Sequence, residues 1–424
     1  MQKTEQQHIE SVKTKIGRKE FICLIAILMA TNAIAIDIML PAMKEITHSL
    51  NEAGNNSQHY IIFAYLLGFG TSQLIFGPIS DRYGRRKPII AGLIFYSIAS
   101  FACIFAPSFF GLLVLRFIQG IGAAATRVLT VSTVRDLYNG RQMAEVMSIV
   151  MMVFMIVPVM APAVGQVIIL TFHQWEYIFI FMGLAGLFIC VWVYFRLPET
   201  LYETRPLTFK SVGSGLKIVF TTRISLCYTL AFSVILGGLF ATLNTAEQIY
   251  NDIYHLGVWF PAAFATVATF QALSAFLNSK FVGRFGMRRI SHGLLLTYSL
   301  AAFVWFISCV LSPTGSVPFT AYLFLFICLM FSFGGIGANF NALAMEPLGK
   351  VAGTASSVFG FLQTIIGAGA GLIIGKQFNG TTQYIAGGFF TLAIIAIILV
   401  LIAEKGRLFQ SVNSSALHNS IQEK

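Results

Sequence analysis

The segment IDIMLPA, Ile36–Ala42, places an acid four residues before a proline inside an apolar stretch of the chain. A carboxylate near the middle of a bilayer costs about 2.5–3.5 kcal/mol on insertion scales, so Asp37 must face the protein interior or a water-filled cavity. A carboxyl so placed can take up and release a proton. The alternative is a static polar residue capping the bend at Pro41. A bend needs no charge, which favours the proton site. Arg116 is the only basic residue deep in an apolar stretch, and Gln119, three residues on, shares its helix face. A guanidinium at that depth requires a counter-charge or water. Arg127 is about three helical turns further, roughly 20° round and about 16 Å along. It either lines the same cavity, favouring an anionic or zwitterionic substrate, or snorkels to the interface. Glu247, in LNTAEQIY (Leu243–Tyr250), reads as a second proton site, a gate residue or a solvated span-end charge. Asn32, Tyr65 and Phe361 complete the expected cavity walls.

These side chains must be positioned by membrane helices. Of 424 residues, 56% are hydrophobic and 11% charged, with mean hydropathy +0.77; a soluble domain carries about 25% charged residues. A span needs about 20 apolar residues, and twelve candidates fit: 20–43, 58–78, 88–106, 108–132, 144–170, 173–197, 222–247, 256–280, 290–311, 317–342, 351–377 and 381–403. The fold class is therefore an all-α polytopic membrane protein. Ala33-Ile34-Ala35 resembles a signal-peptide cleavage site, but the apolar run continues through Leu40, so the stretch reads as a retained span. Residues 198–221 form the longest polar interruption and read as a central linker.

The net charge of +11 reports topology. Twenty-five of the 28 Lys and Arg fall on one side of the twelve-span arrangement, Lys44 and Lys376 on the other, and Arg116 within a span. Positive loops face the cytoplasm, so both termini are expected inside. Basic residues confined to short turns, with no basic helix or stacking platform, argue against nucleic-acid binding. The loop GPISDRYGRRK, Gly77–Lys87, has an echo 202 residues later in VGRFGMRR. Arg82 matches Arg284, Tyr83 matches Phe285, Gly84 matches Gly286 and Arg86 matches Arg288, while Asp81 is replaced by Gly283. Duplication then gives an N-terminal tail 1–19, two six-helix halves at 20–197 and 222–403 joined by 198–221, and a C-terminal tail 404–424.

With this loop, RFIQGIGAA (Arg116–Ala124), VRDLYNGRQMA (Val134–Ala144), IDIMLPA, VPVMAPAVGQ (Val157–Gln166) and AGTASSVFGF (Ala352–Phe361), the chain resembles the major facilitator superfamily. Within it, the resemblance is to the Bcr/CflA branch of bacterial drug/proton antiporters, over about residues 20 to 403. It implies a proton-coupled exporter of small amphipathic molecules in a bacterial inner membrane, a monomer working by alternating access. It implies proton and substrate coupling at Asp37, Arg116 and Glu247, and a latch between spans 2 and 11 at Gly77, Asp81, Arg82, Gly84, Arg85 and Arg86. Helix bending is expected at Pro41 and at Pro158, Pro162 and Gly165 of span 5, where proline removes a ladder donor. Arg127 departs from the branch, which has a small or apolar residue there. The alternative is a proton-coupled importer of an anionic metabolite using Arg116 and Arg127.

Other chemistries find little support. The six cysteines lie in apolar runs with no C-x-x-C pair and no neighbouring histidine, so no metal or redox centre is expected. The seven histidines sit in loops, tails or span ends, and there is no P-loop. No cofactor is expected, and the partners are a small molecule, protons and the bilayer.

Overall fold

The computed structural model describes residues 10–52, 54, 56–138, 140–203 and 209–409. The beginning of the N-terminal tail, linker positions 204–208 and most of the C-terminal tail lie outside them. In chain order the principal helices are α1 Arg18–Asp37, α2 Met43–Ser49, α3 His59–Tyr83, α4 Arg86–Ile104, α5 Phe109–Leu137, α6 Gly140–Phe172 and α7 Glu176–Arg196. There follow α8 Phe209–Thr221, α9 Arg223–Glu247, α10 Phe260–Phe285, α11 Met287–Leu311, α12 Phe319–Met345, α13 Ala352–Lys376 and α14 Gln383–Ala403. Eleven helical stretches are long and apolar enough on their described residues to cross a membrane. The fifth expected span is α6, a helix of 33 residues whose described apolar part runs from Met160 to Phe172.

Helix is the form these stretches must take, because lipid offers no partner to a free N–H or C=O. Their outer faces carry exposed apolar side chains such as Phe105, Phe110, Phe195 and Leu311. Ends are set by local chemistry. Ser108 caps α5, its Oγ accepting the Gly111 N–H at 3.1 Å. Gly84 (φ +86°) ends α3 and Gly286 (φ +83°) ends α10. The two echoed glycines thus occupy the same left-handed position, one that any side chain would strain.

The first span, expected over 20–43 with a bend at Pro41, is interrupted there. Its helix stops at Asp37, and a short 3-10 turn, Leu40–Ala42, leads into α2. Pro41 is the physical reason: it lacks an N–H, and its ring clashes with the carbonyl four residues back, that of Asp37. The seventh span likewise leaves α-geometry after Glu247, continuing as a π-turn over Gln248–Ile253. The expected linker contains α8, a helix that packs against α13.

Within the first half α5 packs on α3 and α4, α4 on α7, and α1 on α6. Within the second, α9 packs on α13 and α14, and α12 on α10 and α11. The halves meet along two seams, α3 with α13 and α6 with α10. By the 202-residue echo, span 2 corresponds to span 8 and span 5 to span 11. The seams are therefore equivalent pairings, each a second span against a fifth.

Candidate functional site

Asp37 is the last residue of α1 and is 4% exposed. Among the described residues no side chain hydrogen-bonds or ion-pairs with its carboxyl, and Tyr65 lies close enough to feel its charge. The helix break at Pro41 leaves Asp37 at an interrupted end, where α6 packs tightly. A Cβ added at Gly165 would collide with the Ile38 carbonyl, and Pro41 flanks it at 3.2 Å. Pro162, one turn earlier in α6, is buried, while the side chain of Pro158 falls outside the described residues.

Arg116 is fully buried in α5. One guanidinium nitrogen donates to Gln119 Oε1, and Nη2 donates to the Ala35 carbonyl at 3.0 Å. Its guanidinium carbon lies over the Tyr65 ring, 4.6 Å from the centroid, and 5.9 Å from that of Phe179. Tyr65 in turn donates to Asn32 Oδ1 at 2.9 Å, and Gln119 Nε2 donates to Ser100 Oγ at 2.6 Å. Spans 1, 2, 3 and 4 so converge on one polar cluster of Asn32, Tyr65, Ser100, Arg116 and Gln119, with Asp37 close enough for Tyr65 to feel its charge. The counter-charge expected for Arg116 is absent among the described residues. A carbonyl, an amide and two aromatic faces stand in its place, a cation–π arrangement strongest when desolvated.

Arg127 is half-buried, and its Nη1 has no hydrogen-bond partner among the described residues. Among the described residues no hydrogen bond or ion pair joins it to the Arg116 cluster. Phe361 is half-buried on α13 and packs into the central core. Glu247 lies where the end of α9 meets α2 of the other half, and its Oε2 accepts the Lys44 N–H at 3.3 Å. Lys44 Nζ pairs with Asp252. On the same face, Asn56 Nδ2 donates to the carbonyls of Phe378 (2.8 Å) and Lys376 (3.1 Å), and Asn56 Oδ1 accepts from Gln248 Nε2 at 2.8 Å. Sequence reasoning missed this closure, since short polar residues in a loop carry no signal of what they meet.

The α3–α13 seam continues to the other face. Gln73 Nε2 donates to Thr364 Oγ1 at 3.1 Å, Gly360 abuts Gln73, and Gly77 lies opposite Ser357. In the Gly77–Lys87 loop, Arg85 is buried and binds Asp81 (2.7 Å), Asp136 (2.8 Å) and Ser80 Oγ (2.6 Å). Burial opposes its charge, but the carboxylates of Asp136 and Asp81 outweigh that and hold the guanidinium above the ordinary arginine value. Glu199 accepts the main-chain N–H groups of Arg85 (2.8 Å) and Arg86 (3.2 Å). Asp81 thus bonds within its own loop, and the loop is tied to α5 and the end of α7. Asp136 and Glu199 were not singled out, although VRDLYNGR carried the first. The echo loop, lacking Asp81, finds other carboxylates: Arg288 binds Glu404 at 2.8 Å and Glu346 at 3.1 Å.

Comparison with known proteins gives a consistent result. The family model of the Major Facilitator Superfamily matches residues 22–372. A bicyclomycin resistance protein homolog of Haemophilus influenzae is 31% identical over 388 residues, covering 90% of this chain and 94% of that protein. Multidrug resistance protein D of Escherichia coli is 28% identical over 392 residues, covering 89% and 94%. Among solved structures, a D-xylose-proton symporter superposes with TM-score 0.72 at 12% identity over 92% of this chain and 97% of that one. At that identity the likeness concerns the fold.

Proposed function

The chain belongs to the Major Facilitator Superfamily, and from that premise we propose that it exports small amphipathic molecules in exchange for protons by alternating access. The observation that carries this reading is Asp37, a buried carboxyl at an interrupted helix end with no ionic partner among the described residues. A carboxyl locked in an ion pair is a poor proton carrier; one standing alone in a dry site exchanges its proton when water reaches it. Arg116 holds Tyr65 and Asn32 beside it, so a proton arriving at Asp37 changes the field across one contiguous cluster. We assign Glu247 to the gate, on its bond to Lys44 across the halves.

The relatives named for bicyclomycin and multidrug resistance support an amphipathic drug-like cargo. The Lys and Arg asymmetry supports a bacterial cytoplasmic membrane location with both termini inside, the halves 20–197 and 222–403 rocking as a monomer. Asp37→Asn is expected to abolish substrate-driven proton movement in proteoliposomes while leaving thermal stability within a few degrees of wild type. Full proton movement in that variant overturns the assignment. Arg127, with its free Nη1, favours the importer of an anionic metabolite as second reading. Transport in inverted against right-side-out vesicles separates the two directions.

A further inference from the structure

The Gly77–Lys87 loop has more positive charge than its carboxylates can neutralise. Asp81 and Asp136 are both engaged by Arg85. Glu199 is saturated by main-chain donors, taking N–H groups from Arg85, Arg86, Thr200 and Leu201. Arg82, Arg86 and Lys87 therefore have no carboxylate partner among the described residues. They line one groove of about 520 Å³ together with Tyr83, Tyr194 and Glu199. Two of the cations are pre-set by stacking. The Arg86 guanidinium carbon lies 5.3 Å from the Tyr194 ring centroid and that of Arg82 5.6 Å from Tyr83. Arg86 also donates to the Tyr194 carbonyl, and its Nε is buried without an acceptor.

We infer that this groove binds a phosphate group, and that the phosphate belongs to an anionic phospholipid of the surrounding bilayer. Guanidinium edges and an ammonium match phosphate oxygens in charge and donor geometry. The source is lipid because the groove opens onto an apolar strip. Ile90 lines it, and Ile94 and Phe195, exposed by 44% and 75%, continue along α4 and α7 toward the hydrocarbon. A dissolved phosphate leaves that strip unused. Basic pockets between membrane helices recognise anionic headgroups by this combination. The site ties α3, α4 and α7 together from outside and is independent of the cargo.

The test uses the purified full-length protein in detergent, with thermal unfolding as readout. Phosphatidylglycerol is expected to raise Tm, with phosphatidylcholine and inorganic phosphate having little effect. The variant Arg82→Gln/Arg86→Gln/Lys87→Gln loses that rise. A control with equal charge removal in the echo loop, Lys280→Gln/Arg284→Gln/Arg289→Gln, keeps it. Equal loss in the control, or no rise in wild type, overturns the site; a rise with inorganic phosphate alone overturns the lipid. Should the groove variant not fold, a photoreactive phosphatidylglycerol on wild type decides. Labelling of 77–90 and Tyr194 supports the site, and labelling elsewhere overturns it.

Discussion

Arg116 obtains from neutral groups what a buried guanidinium requires, and its partners differ in how much they contribute. Tyr65→Phe removes only the hydroxyl bond to Asn32, a loss of about 1 kcal/mol, and keeps the ring beneath the cation. Tyr65→Leu removes both, adding about 2 kcal/mol for a desolvated cation–π contact. Thermal unfolding is expected to rank wild type above Tyr65→Phe above Tyr65→Leu. Arg116→Lys is expected to behave like a loss, because a single ammonium cannot bond both the Ala35 carbonyl and Gln119 while staying over the Tyr65 ring; transport should fall at least about tenfold, the factor that 1.4 kcal/mol represents. At this scale the conspicuous residues were legible. A lone acid or base in an apolar stretch stands out, as Asp37 and Arg116 do. Asp136 and Glu199 lie among other polar residues, where a carboxylate announces nothing until its partner is placed beside it.

At the level of elements, the break after Asp37 is maintained from two sides, by Pro41 within the chain and by Gly165 across it. Gly165→Ala puts a methyl against the Ile38 carbonyl, an overpacking of about 1–3 kcal/mol. We expect lowered Tm and transport reduced more than the stability loss alone explains, read by comparing Gly165→Ala with an equally destabilised variant remote from α1. Gly84→Ala forces a side chain into φ +86° over the Glu199 carboxylate, at about 1–2 kcal/mol, and should loosen the loop without touching the Asp37 cluster. Helix existence and order followed from hydropathy, since lipid allows no other form. Where helices stop followed only in part: Pro41 marks the end of α1 near Asp37, whereas nothing in the sequence marks the π-turn after Glu247. An overall polar stretch concealed α8.

For the whole molecule, the closed face near Lys44 depends on groups from both halves. The Lys44–Asp252 pair is about 40% exposed on each side, and pairs of that exposure contribute at most about 1 kcal/mol. Asp252→Asn is accordingly expected to increase opening of this face by no more than about fivefold, measured by alkylation of a cysteine placed at His59, which is buried beside Gly375 and Asn244. The exchange Lys44→Asp/Asp252→Lys should bring labelling back toward the starting level. A larger increase would mean the pair does more than its exposure allows. The equivalence of the α3–α13 and α6–α10 seams has a calorimetric consequence. Rocking about two like seams uncovers apolar surface on one face while covering a similar amount on the other. Heat-capacity change follows net apolar exposure, so it should nearly cancel for the conformational switch. A van't Hoff plot of the balance between the two faces is then expected to be straight between 10 °C and 40 °C, so the carrier's switch would keep a single enthalpy across the working range of its host.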